Sequence, residues 1–198
     1  VPFLQILLAR LRAQGIGEVI LGTGYLAEQV EAHFGDGQAF GLTIAYSRES
    51  APLGTGGALK LAEKQLSDPV LILNGDSFVE WELASLVARF EEKKADLVMA
   101  LQAVSEVTRY GSVTLAEDGR VADFVEKGTR TGPGLINAGV YLLRKKILAD
   151  LPNDQPISLE RDVFPKLLQG PVYGVVSEGL FIDIGVPQDL ERAQTLLA

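Results

Sequence analysis

Two aspartates stand at the ends of short apolar runs, where a protein could use carboxylates to bind a cation. Asp76 follows residues 70–74 (VLILN), and Asp183 lies within residues 181–185 (FIDIG). Open α/β sheets bind ligands at the carboxyl ends of their strands. A carboxylate delivered there is costly unless it is paired or holds a cation. If the two carboxylates converge, they form a hard-cation site suited to phosphate chemistry. A helix-capping role for Asp76 is the alternative.

Three further polar side chains could bind the rest of a phosphorylated ligand. Glu126 and Lys127 end a strand predicted over residues 121–126, and Asn137 lies in an apolar strand predicted over residues 135–143. Glu126 could accept hydrogen bonds from substrate hydroxyls, and Lys127 could bind a phosphate oxygen. A solvated strand end is the alternative. Asn137 in its apolar strand needs a partner, such as a sugar hydroxyl.

Two glycine-containing segments could approach a ligand through their backbone. Residues 53–59 (LGTGGAL) carry three glycines at a predicted helix start, which would leave backbone N–H groups bare. This segment lacks the lysine of a phosphate-binding P-loop, so it could lie against a nucleobase, and a Gly-rich hinge is the alternative. Residues 22–27 fit the G-x-G-x-x-G/A dinucleotide pattern, with Glu49 as a ribose ligand. So short a pattern often arises by chance, and a tight strand-to-helix turn is the favoured interpretation.

The composition excludes whole classes of chemistry. The 198 residues are 47% hydrophobic and 22% charged, which is enough apolar material for a sizeable core. The absence of cysteine excludes disulfides, thiolate zinc sites and cysteine nucleophiles. The single histidine, His33, is predicted to end a helix and to play no catalytic part. Any metal must therefore be held by oxygen ligands, which favours Mg²⁺, Ca²⁺ or Mn²⁺.

The charge and hydropathy patterns bear on partners and location. A net charge of −8 argues against nucleic acid or an anionic membrane as a partner, because both require a basic face. No run approaches the ~20 apolar residues that span a membrane, and no signal-peptide pattern is present. We therefore expect a cytoplasmic protein. The sequence leaves the oligomeric state open, with a homo-oligomer as one possibility.

Alternating helix and strand patterns predict an α/β fold, with a Rossmann-like, mixed and mostly parallel sheet and helices on both faces. The run over residues 70–74 is apolar on both faces, as expected of a buried parallel strand. Asp-Gly at residues 118–119 predicts a hairpin. Predicted helices cover residues 3–14, 26–34, 83–94, 162–168 and 187 to the end, and one more follows a Gly-rich loop at residues 52–58 and runs to about residue 65. Predicted strands cover residues 18–22, 42–46, 70–74, 96–103, 112–115, 121–126, 135–143, 172–176 and 180–184.

Six motifs taken together resemble the sugar-phosphate nucleotidyltransferase family. In chain order they are LGTGGAL at 53–59, LNGDS at 73–77, RYGSV at 109–113, FVEKG at 124–128, INAGVYLL at 136–143 and FIDIG at 181–185. The ordered set covers nearly the whole chain and is far more specific than any single motif. SLERDVFP at 158–165 is most similar to the branch that acts on D-glycero-α-D-manno-heptose 1-phosphate as a guanylyltransferase. Mannose-1-phosphate guanylyltransferases and N-acetylmuramate-1-phosphate uridylyltransferases are neighbouring branches.

The resemblance implies a nucleotide-diphospho-sugar transferase fold and Mg²⁺-dependent chemistry. A nucleoside monophosphate, with GTP the favoured donor, would be transferred to a sugar 1-phosphate for bacterial surface polysaccharide, and pyrophosphate would be released without a covalent enzyme intermediate. The catalytic residues that it implies are Asp76 and Asp183, as Mg²⁺ ligands, and Lys127, which would bind the sugar phosphate. The implied nucleotide-binding residues are Gly54, Thr55, Gly56, Gly57 and Gly75, and the implied sugar-phosphate-binding residues are Gly111, Glu126, Lys127 and Asn137.

The resemblance also implies one domain, residues 1–198, with a nucleotide-binding half over residues 1–103 and a sugar-binding half over residues 104–198. One family signature is not in this sequence. It comprises a strand, a G-G-x-G-T-R-L type loop that wraps the triphosphate, and a Pro-Lys pair, and residues 1–4 match the segment just after that pair. We therefore expect the natural protein to begin earlier, and the fold over these residues to lack its first strand.

Three other functions fit parts of the sequence. A GT-A glycosyltransferase shares the α/β layout and the metal, but such enzymes usually hold it with D-x-D, and here Ser77 and Phe78 follow Asp76. An NAD(P)-dependent enzyme depends on residues 22–27 alone. A non-catalytic nucleotide-sugar sensor is the third, and it becomes the better hypothesis only if the N-terminal signature is genuinely missing.

Overall fold

The computed structural model describes residues 1–125 and 127–197. Its helices are α1 (Phe3–Ala13), α2 (Ala27–Phe34), α3 (Gly54–Ala62), α4 (Leu83–Glu92), α5 (Lys146–Ala149), α6 (Phe164–Leu167) and α7 (Pro187–Leu196). Its strands are β1 (Glu18–Thr23), β2 (Thr43–Arg48), β3 (Val70–Leu73), β4 (Ser77–Val79), β5 (Leu97–Val104), β6 (Ser112–Leu115), β7 (Val121–Val125), β8 (Gly134–Leu143), β9 (Val172–Ser177) and β10 (Phe181–Asp183). Short 3₁₀ turns cover Gln38–Phe40 and Glu63–Gln65, and a π-helical turn covers Leu159–Val163.

The chain forms two compact units. The N-terminal unit comprises residues 2–68 and 145–159, and the sheet unit comprises Val1, residues 69–144 and residues 160–198. These boundaries reflect backbone packing. The division into nucleotide-binding and sugar-binding halves concerns ligands and stays a prediction. Within the described residues, no helix combines the length and apolar character that crossing a membrane requires.

The N-terminal unit contains a parallel pair of strands, β1 and β2, which joins residues 18–23 to residues 43–48. α1 buries one apolar face and ends just before Gly15. Gly15 has a φ of +84°, a left-handed conformation that glycine adopts at little steric cost. The predicted helices over residues 3–14 and 26–34 are therefore confirmed to within one residue at each end.

β8 is the central strand of the sheet unit. β5 pairs with one edge of β8, while β6 and β3 pair with the first and second parts of its other edge, all three antiparallel. β9 pairs parallel with β5, so β3, β5 and β9 share one direction and the mixed α/β class is confirmed. The expected parallel pairing of residues 70–74 is wrong, because β3 and β8 are antiparallel. Burial on both faces indicates a central position in a sheet and does not encode strand direction.

Two elements of the sheet unit differ from the sequence expectation. β4 is not predicted, because three residues are too short to show a pattern, yet it pairs antiparallel with β10. The helix predicted over residues 162–168 is a π-helical turn followed by α6. Pro165 has no N–H, so regular α-helical hydrogen bonding cannot run through this segment. The hairpin of β6 and β7 is confirmed, with Gly119 at a φ of +81° in its turn.

A buried carboxylate ties α7 to the segment before β6. Asp189 accepts hydrogen bonds from Arg109 Nη2 at 2.7 Å and from Arg192 Nη1 at 2.8 Å. Arg109, and then Arg192, lower the pKa of the Asp189 carboxyl because they stabilise its ionised form. Folding therefore keeps this carboxylate ionised to a lower pH than the unfolded chain does.

We expect Asp189→Asn to lower the free energy of unfolding by about 1 kcal/mol at pH 7, because two charge-assisted hydrogen bonds weaken near the surface. A carboxyl with a lowered folded-state pKa stabilises above its unfolded pKa of about 3.9 and loses this contribution as the pH falls through the folded value. Urea unfolding should therefore give a lower free energy of unfolding for the variant than for wild type at pH 7. Well below pH 4 the two values should be equal. Glu191→Gln, on the exposed side of the same helix, is the control. A difference that persists undiminished at low pH would contradict the electrostatic origin.

Candidate functional site

Asp76 and Asp183 meet at the paired strands β4 and β10. Asp76 immediately precedes β4, and Asp183 is the last residue of β10, opposite Ser77 in the antiparallel register. The N–H of Ile184 donates to the carbonyl oxygen of Asp76 at 2.8 Å, which extends the ladder by one step. The ladder therefore brings together the two aspartates that the sequence singles out.

The like charges of these two aspartates oppose one another. Partial burial, and then the charge of Asp183, raise the pKa of the Asp76 carboxyl, and Glu160 contributes in the same direction. The ammonium of Lys127 acts in the opposite direction. Two ionised carboxylates side by side favour a bound cation, and their hard oxygen atoms suit Mg²⁺.

The residues present fit a divalent cation that the protein coordinates only in part. Asp183 Oδ1 accepts the N–H of Gly185 at 2.7 Å, which orients that carboxylate. Across residues 1–125 and 127–197, no three or more His, Cys, Asp or Glu side chains are grouped so as to hold a metal. Mg²⁺ bound by one or two carboxylates usually keeps several waters or substrate phosphates as ligands. Asp76 and Asp183 are a donor set of that kind.

A close approach between β8 and the turn that carries Asp76 fixes this geometry. Gly139 has a φ of +78°, and its carbonyl oxygen accepts the N–H of Asn74 at 2.8 Å. A Cβ at Gly139 would stand 2.6 Å from Ser77 Oγ and 3.1 Å from Asn74 Cβ, so glycine is required here. Sequence reasoning misses Gly139 and Asn74 as site residues. The available signal is a glycine within an apolar strand, which often marks a close backbone approach.

Gly111 and Asn137, both predicted to bind the sugar, are neighbours. The backbone N–H of Asn137 donates to the carbonyl oxygen of Gly111 at 2.9 Å. Asn137 Nδ2 donates to the Tyr141 hydroxyl at 2.7 Å, and Asn137 Oδ1 accepts the N–H of Gly139 at 3.1 Å. Asn137 therefore has the hydrogen-bond partners that a polar side chain in an apolar strand needs, and its binding of a sugar stays a prediction. An amide also has a second N–H and a second acceptor position, which these two bonds do not use.

The other predicted residues of the sheet unit lie in exposed turns. Lys127 is exposed after β7, near enough for its charge to act on Asp76. Gly75 is exposed just before Asp76, and no heavy atom lies within 4 Å of the position that a Cβ would take. Glu126 lies outside the described residues. The structure therefore brings Lys127 into electrostatic range of Asp76.

The glycine segment over residues 53–59 belongs to the N-terminal unit. α3 begins at Gly54, and the N–H groups of Gly56 and Gly57 donate to the carbonyl oxygen of Ile157 at 2.8 and 3.3 Å. The expectation of bare N–H groups is therefore wrong for Gly56 and Gly57. Sequence reasoning identifies the glycines but does not identify Ile157, in the distant segment that packs against them.

Close packing explains why small residues are needed at the start of α3. A Cβ at Gly57 would stand 2.6 Å from the carbonyl oxygen of Gln155. Thr55 Oγ1 accepts the N–H of Leu159 at 2.8 Å, which holds the same distant segment from a second point. Gly54 and Thr55 are exposed and face solvent at the helix start.

The dinucleotide-like pattern over residues 22–27 is a strand-to-helix turn. β1 ends and α2 begins within this segment, and Leu26 between them has a φ of +56°. Glu49, considered above as a ribose ligand, accepts the N–H of Leu53 through Oε2 at 2.7 Å. Its carboxylate therefore organises the approach to α3, which favours the tight-turn interpretation.

We expect Gly57→Ala to destabilise the protein by about 1–3 kcal/mol, because the added methyl group would meet the Gln155 carbonyl. Helix propensity alone predicts the opposite sign, since alanine in a helix is about 1 kcal/mol more favourable than glycine. Gly22→Ala in β1 is the matched control, because open space surrounds its added carbon. Urea unfolding measures both variants. A stabilised Gly57→Ala protein would show that the Gln155 carbonyl group moves away without a loss of folding free energy.

We expect Asp76→Asn to raise the melting temperature in the absence of divalent cations and to abolish most of the stabilisation that Mg²⁺ gives. The raised pKa means that the ionised Asp76 carboxyl disfavours folding, so wild-type stability falls as the pH rises through that folded-state pKa. Melting curves at pH 7, with and without Mg²⁺, test both effects. Asp150→Asn, an exposed aspartate of the N-terminal unit, is the control. Equal Mg²⁺ stabilisation of Asp76→Asn and wild type would exclude Asp76 as a ligand.

Comparison with known proteins shows which family this chain resembles. The model of a family described as nucleotidyl transferase matches residues 1–198. A D-glycero-α-D-manno-heptose 1-phosphate guanylyltransferase of Aneurinibacillus thermoaerophilus is 43% identical over 195 residues, which cover 98% of this chain and 84% of the relative. A mannose-1-phosphate guanylyltransferase of Mycobacterium tuberculosis is 39% identical over 195 residues, which cover 96% of this chain and 54% of the relative.

Solved structures agree with the fold. HddC from Yersinia pseudotuberculosis, complexed with GMP-PN, has a TM-score of 0.88 and 35% identity to this chain. The match covers 100% of this chain and 86% of HddC. The chain therefore belongs to the nucleotidyl transferase family, which confirms the resemblance that its motifs indicated, and it is an enzyme of the nucleotidyltransferase class.

Proposed function

We propose that this protein transfers GMP from GTP to a sugar 1-phosphate, with D-glycero-α-D-manno-heptose 1-phosphate as the acceptor, and releases pyrophosphate. The observation that carries the proposal is the acidic pair of Asp76, just before β4, and Asp183, at the end of the paired strand β10, within a chain of this family. Two relatives named as heptose 1-phosphate guanylyltransferases, 43% and 37% identical, support the choice of base and sugar.

In this reaction the protein positions the reactants and neutralises charge. Asp76 and Asp183 would hold Mg²⁺, which when bound neutralises and orients phosphate oxygens. Lys127 would bind the sugar phosphate. An oxygen of that phosphate attacks the α-phosphorus in line, the new P–O bond forms as the bond to the β-phosphate oxygen breaks, and pyrophosphate leaves with the electron pair. No side chain forms a covalent intermediate.

Each unit contains residues that would bind substrate. The sugar would be bound in the sheet unit by Gly111, Asn137 and Glu126, and the nucleotide would be met in part by Gly75. In the N-terminal unit, the exposed Gly54 and Thr55 would meet the nucleotide, while Gly56 and Gly57 maintain the shape of the segment through Ile157. We place the activity in the cytoplasm and in the supply of an activated sugar for bacterial surface polysaccharide.

Mannose 1-phosphate is the second candidate acceptor. The relative from Mycobacterium tuberculosis, named as a mannose-1-phosphate guanylyltransferase, supports it at 39% identity. Both candidates use the same reaction and the same metal ligands. They share the manno arrangement of ring hydroxyls, and the heptose differs by one additional hydroxyl-bearing carbon outside the ring.

Pyrophosphate release by the protein expressed from its whole reading frame, with Mg²⁺, tests the proposal. The assay crosses GTP, UTP, CTP and dTTP with the 1-phosphates of heptose, mannose, glucose and N-acetylmuramate. We expect release with GTP and heptose 1-phosphate, and a loss of about a hundredfold or more in Asp183→Asn, because the charge of the phosphates is then poorly neutralised. Asp150→Asn serves as the charge-matched control. A folded protein that is silent across the whole matrix would overturn the proposal in favour of a nucleotide-sugar sensor.

A further inference from the structure

A fully buried phenol joins three polar side chains of the sheet unit. Tyr141, in β8, is 0% exposed and packs edge-to-face on Phe164 with ring centroids 4.9 Å apart. Its hydroxyl accepts a hydrogen bond from Asn137 Nδ2 at 2.7 Å and lies 3.3 Å from Glu160 Oε1. The side chain of Asn74 also bonds to it. The proposed catalytic steps use neither Tyr141 nor Glu160.

The chemistry of these groups fixes the direction of each hydrogen bond. A phenol has one hydrogen to donate, and a carboxylate can only accept. The Tyr141 hydroxyl therefore donates to Glu160, and its oxygen faces Asn137 and Asn74 as an acceptor. Burial raises the pKa of Tyr141 well above its usual value, so the phenol keeps its hydrogen throughout the working range of pH.

The direction of the bonds fixes the two amides. Asn137 and Asn74 must each turn the NH₂ end of the side chain toward the phenol oxygen. For Asn137 a second contact agrees, because its Oδ1 accepts the N–H of Gly139 at 3.1 Å. A flipped Asn137 amide would set its NH₂ against that N–H and its oxygen against the phenol. The donor and the acceptor that remain for a ligand therefore point in defined directions.

We propose that Glu160 is a positioning residue that fixes the side-chain amide of Asn137, and with it that of Asn74, through the hydroxyl of Tyr141. The inference rests on the proposed function in one respect, namely that Asn137 binds the sugar of the acceptor. Glu160 lies in the π-helical turn Leu159–Val163. π-Helical turns are rare in proteins, and those that occur are often found at functional sites. Its role is to keep Asn137 matched to one arrangement of sugar hydroxyls.

A different role for Glu160 is a purely electrostatic one, because its charge also acts on Asp76. Two substitutions separate these roles. Glu160→Ala removes the acceptor and the charge, whereas Glu160→Gln removes the charge and keeps an oxygen that can accept from Tyr141. If Glu160 acts by positioning, the KM of Glu160→Gln for the sugar 1-phosphate should resemble that of wild type. If Glu160 acts by its charge, this KM should resemble that of Glu160→Ala.

Steady-state kinetics of the full-length protein provide the first test. We expect Glu160→Ala and Tyr141→Phe each to raise the KM for the sugar 1-phosphate about tenfold, a change typical of one lost hydrogen bond, with kcat and the KM for the nucleotide changed less than about twofold. Glu160→Gln should stay within about threefold of wild type. The double variant Glu160→Ala/Tyr141→Phe should be no worse than either single variant, because both act through one hydroxyl. Glu117→Ala, exposed in the β6–β7 turn, is the control.

Nuclear magnetic resonance of the substrate-free protein separates this inference from the proposed function. With ¹⁵N-labelled asparagine, assigned through Asn137→Asp and Asn74→Asp, we expect the side-chain NH₂ signals of both residues to shift in Glu160→Ala and to stay in place in Glu160→Gln and Glu117→Ala. Unchanged signals in Glu160→Ala, or additive kinetic effects in the double variant, would overturn the positioning role. A wild-type protein without turnover on any substrate pair would count against the proposed function, and the NMR comparison would still decide whether Glu160 fixes the amides.

Discussion

The burial of the Asp76 carboxyl beside the charge of Asp183 is the constraint on which the geometry of the candidate site depends. Partial burial, and then the charge of Asp183, disfavour the ionised Asp76 carboxyl, so its pKa is raised and its ionisation costs stability. Backbone hydrogen bonds hold the two residues in place. The N–H of Ile184 donates to the backbone carbonyl oxygen of Asp76, and the N–H of Gly185 donates to the carboxylate of Asp183. The proposed cation would offset this cost by neutralising the carboxylates.

β8 holds the turn that carries Asp76 in place. It pairs with strands along both edges, and its own polar residues, Asn137 and Tyr141, point their hydrogen bonds at partners within the protein. Gly139 lets it approach the turn that carries Asp76 to within hydrogen-bonding distance. Groups built on strands are held more precisely than groups on loops, so the proposed metal ligands and the proposed sugar-binding residue Asn137 are positioned by the same strands.

Local pattern predicted most elements and the identity of the acidic residues, because hydrophobic periodicity and terminal glycines are written in short segments. It could not predict that Asp76 and Asp183 meet, because their meeting depends on β4, a three-residue strand paired with residues about a hundred positions away in sequence. The glycines of residues 53–59 show the same limit. The sequence shows how many glycines are present. It does not show why they are needed, which is that the backbone carbonyl groups of Gln155 and Ile157 pack against them.

The satisfied state of Asn137 changes how specificity should be understood at this site. A polar side chain that waits unpaired for a ligand must be ordered when the ligand binds, and that ordering weakens affinity. Asn137 is already ordered, by the Tyr141 hydroxyl on one side and the Gly139 N–H on the other. It can therefore offer only its remaining donor and acceptor, in directions set by the protein. In the proposed function, a sugar whose hydroxyls match both gains two hydrogen bonds, whereas a sugar with one inverted hydroxyl leaves one of these amide groups unpaired, which is the larger energetic difference.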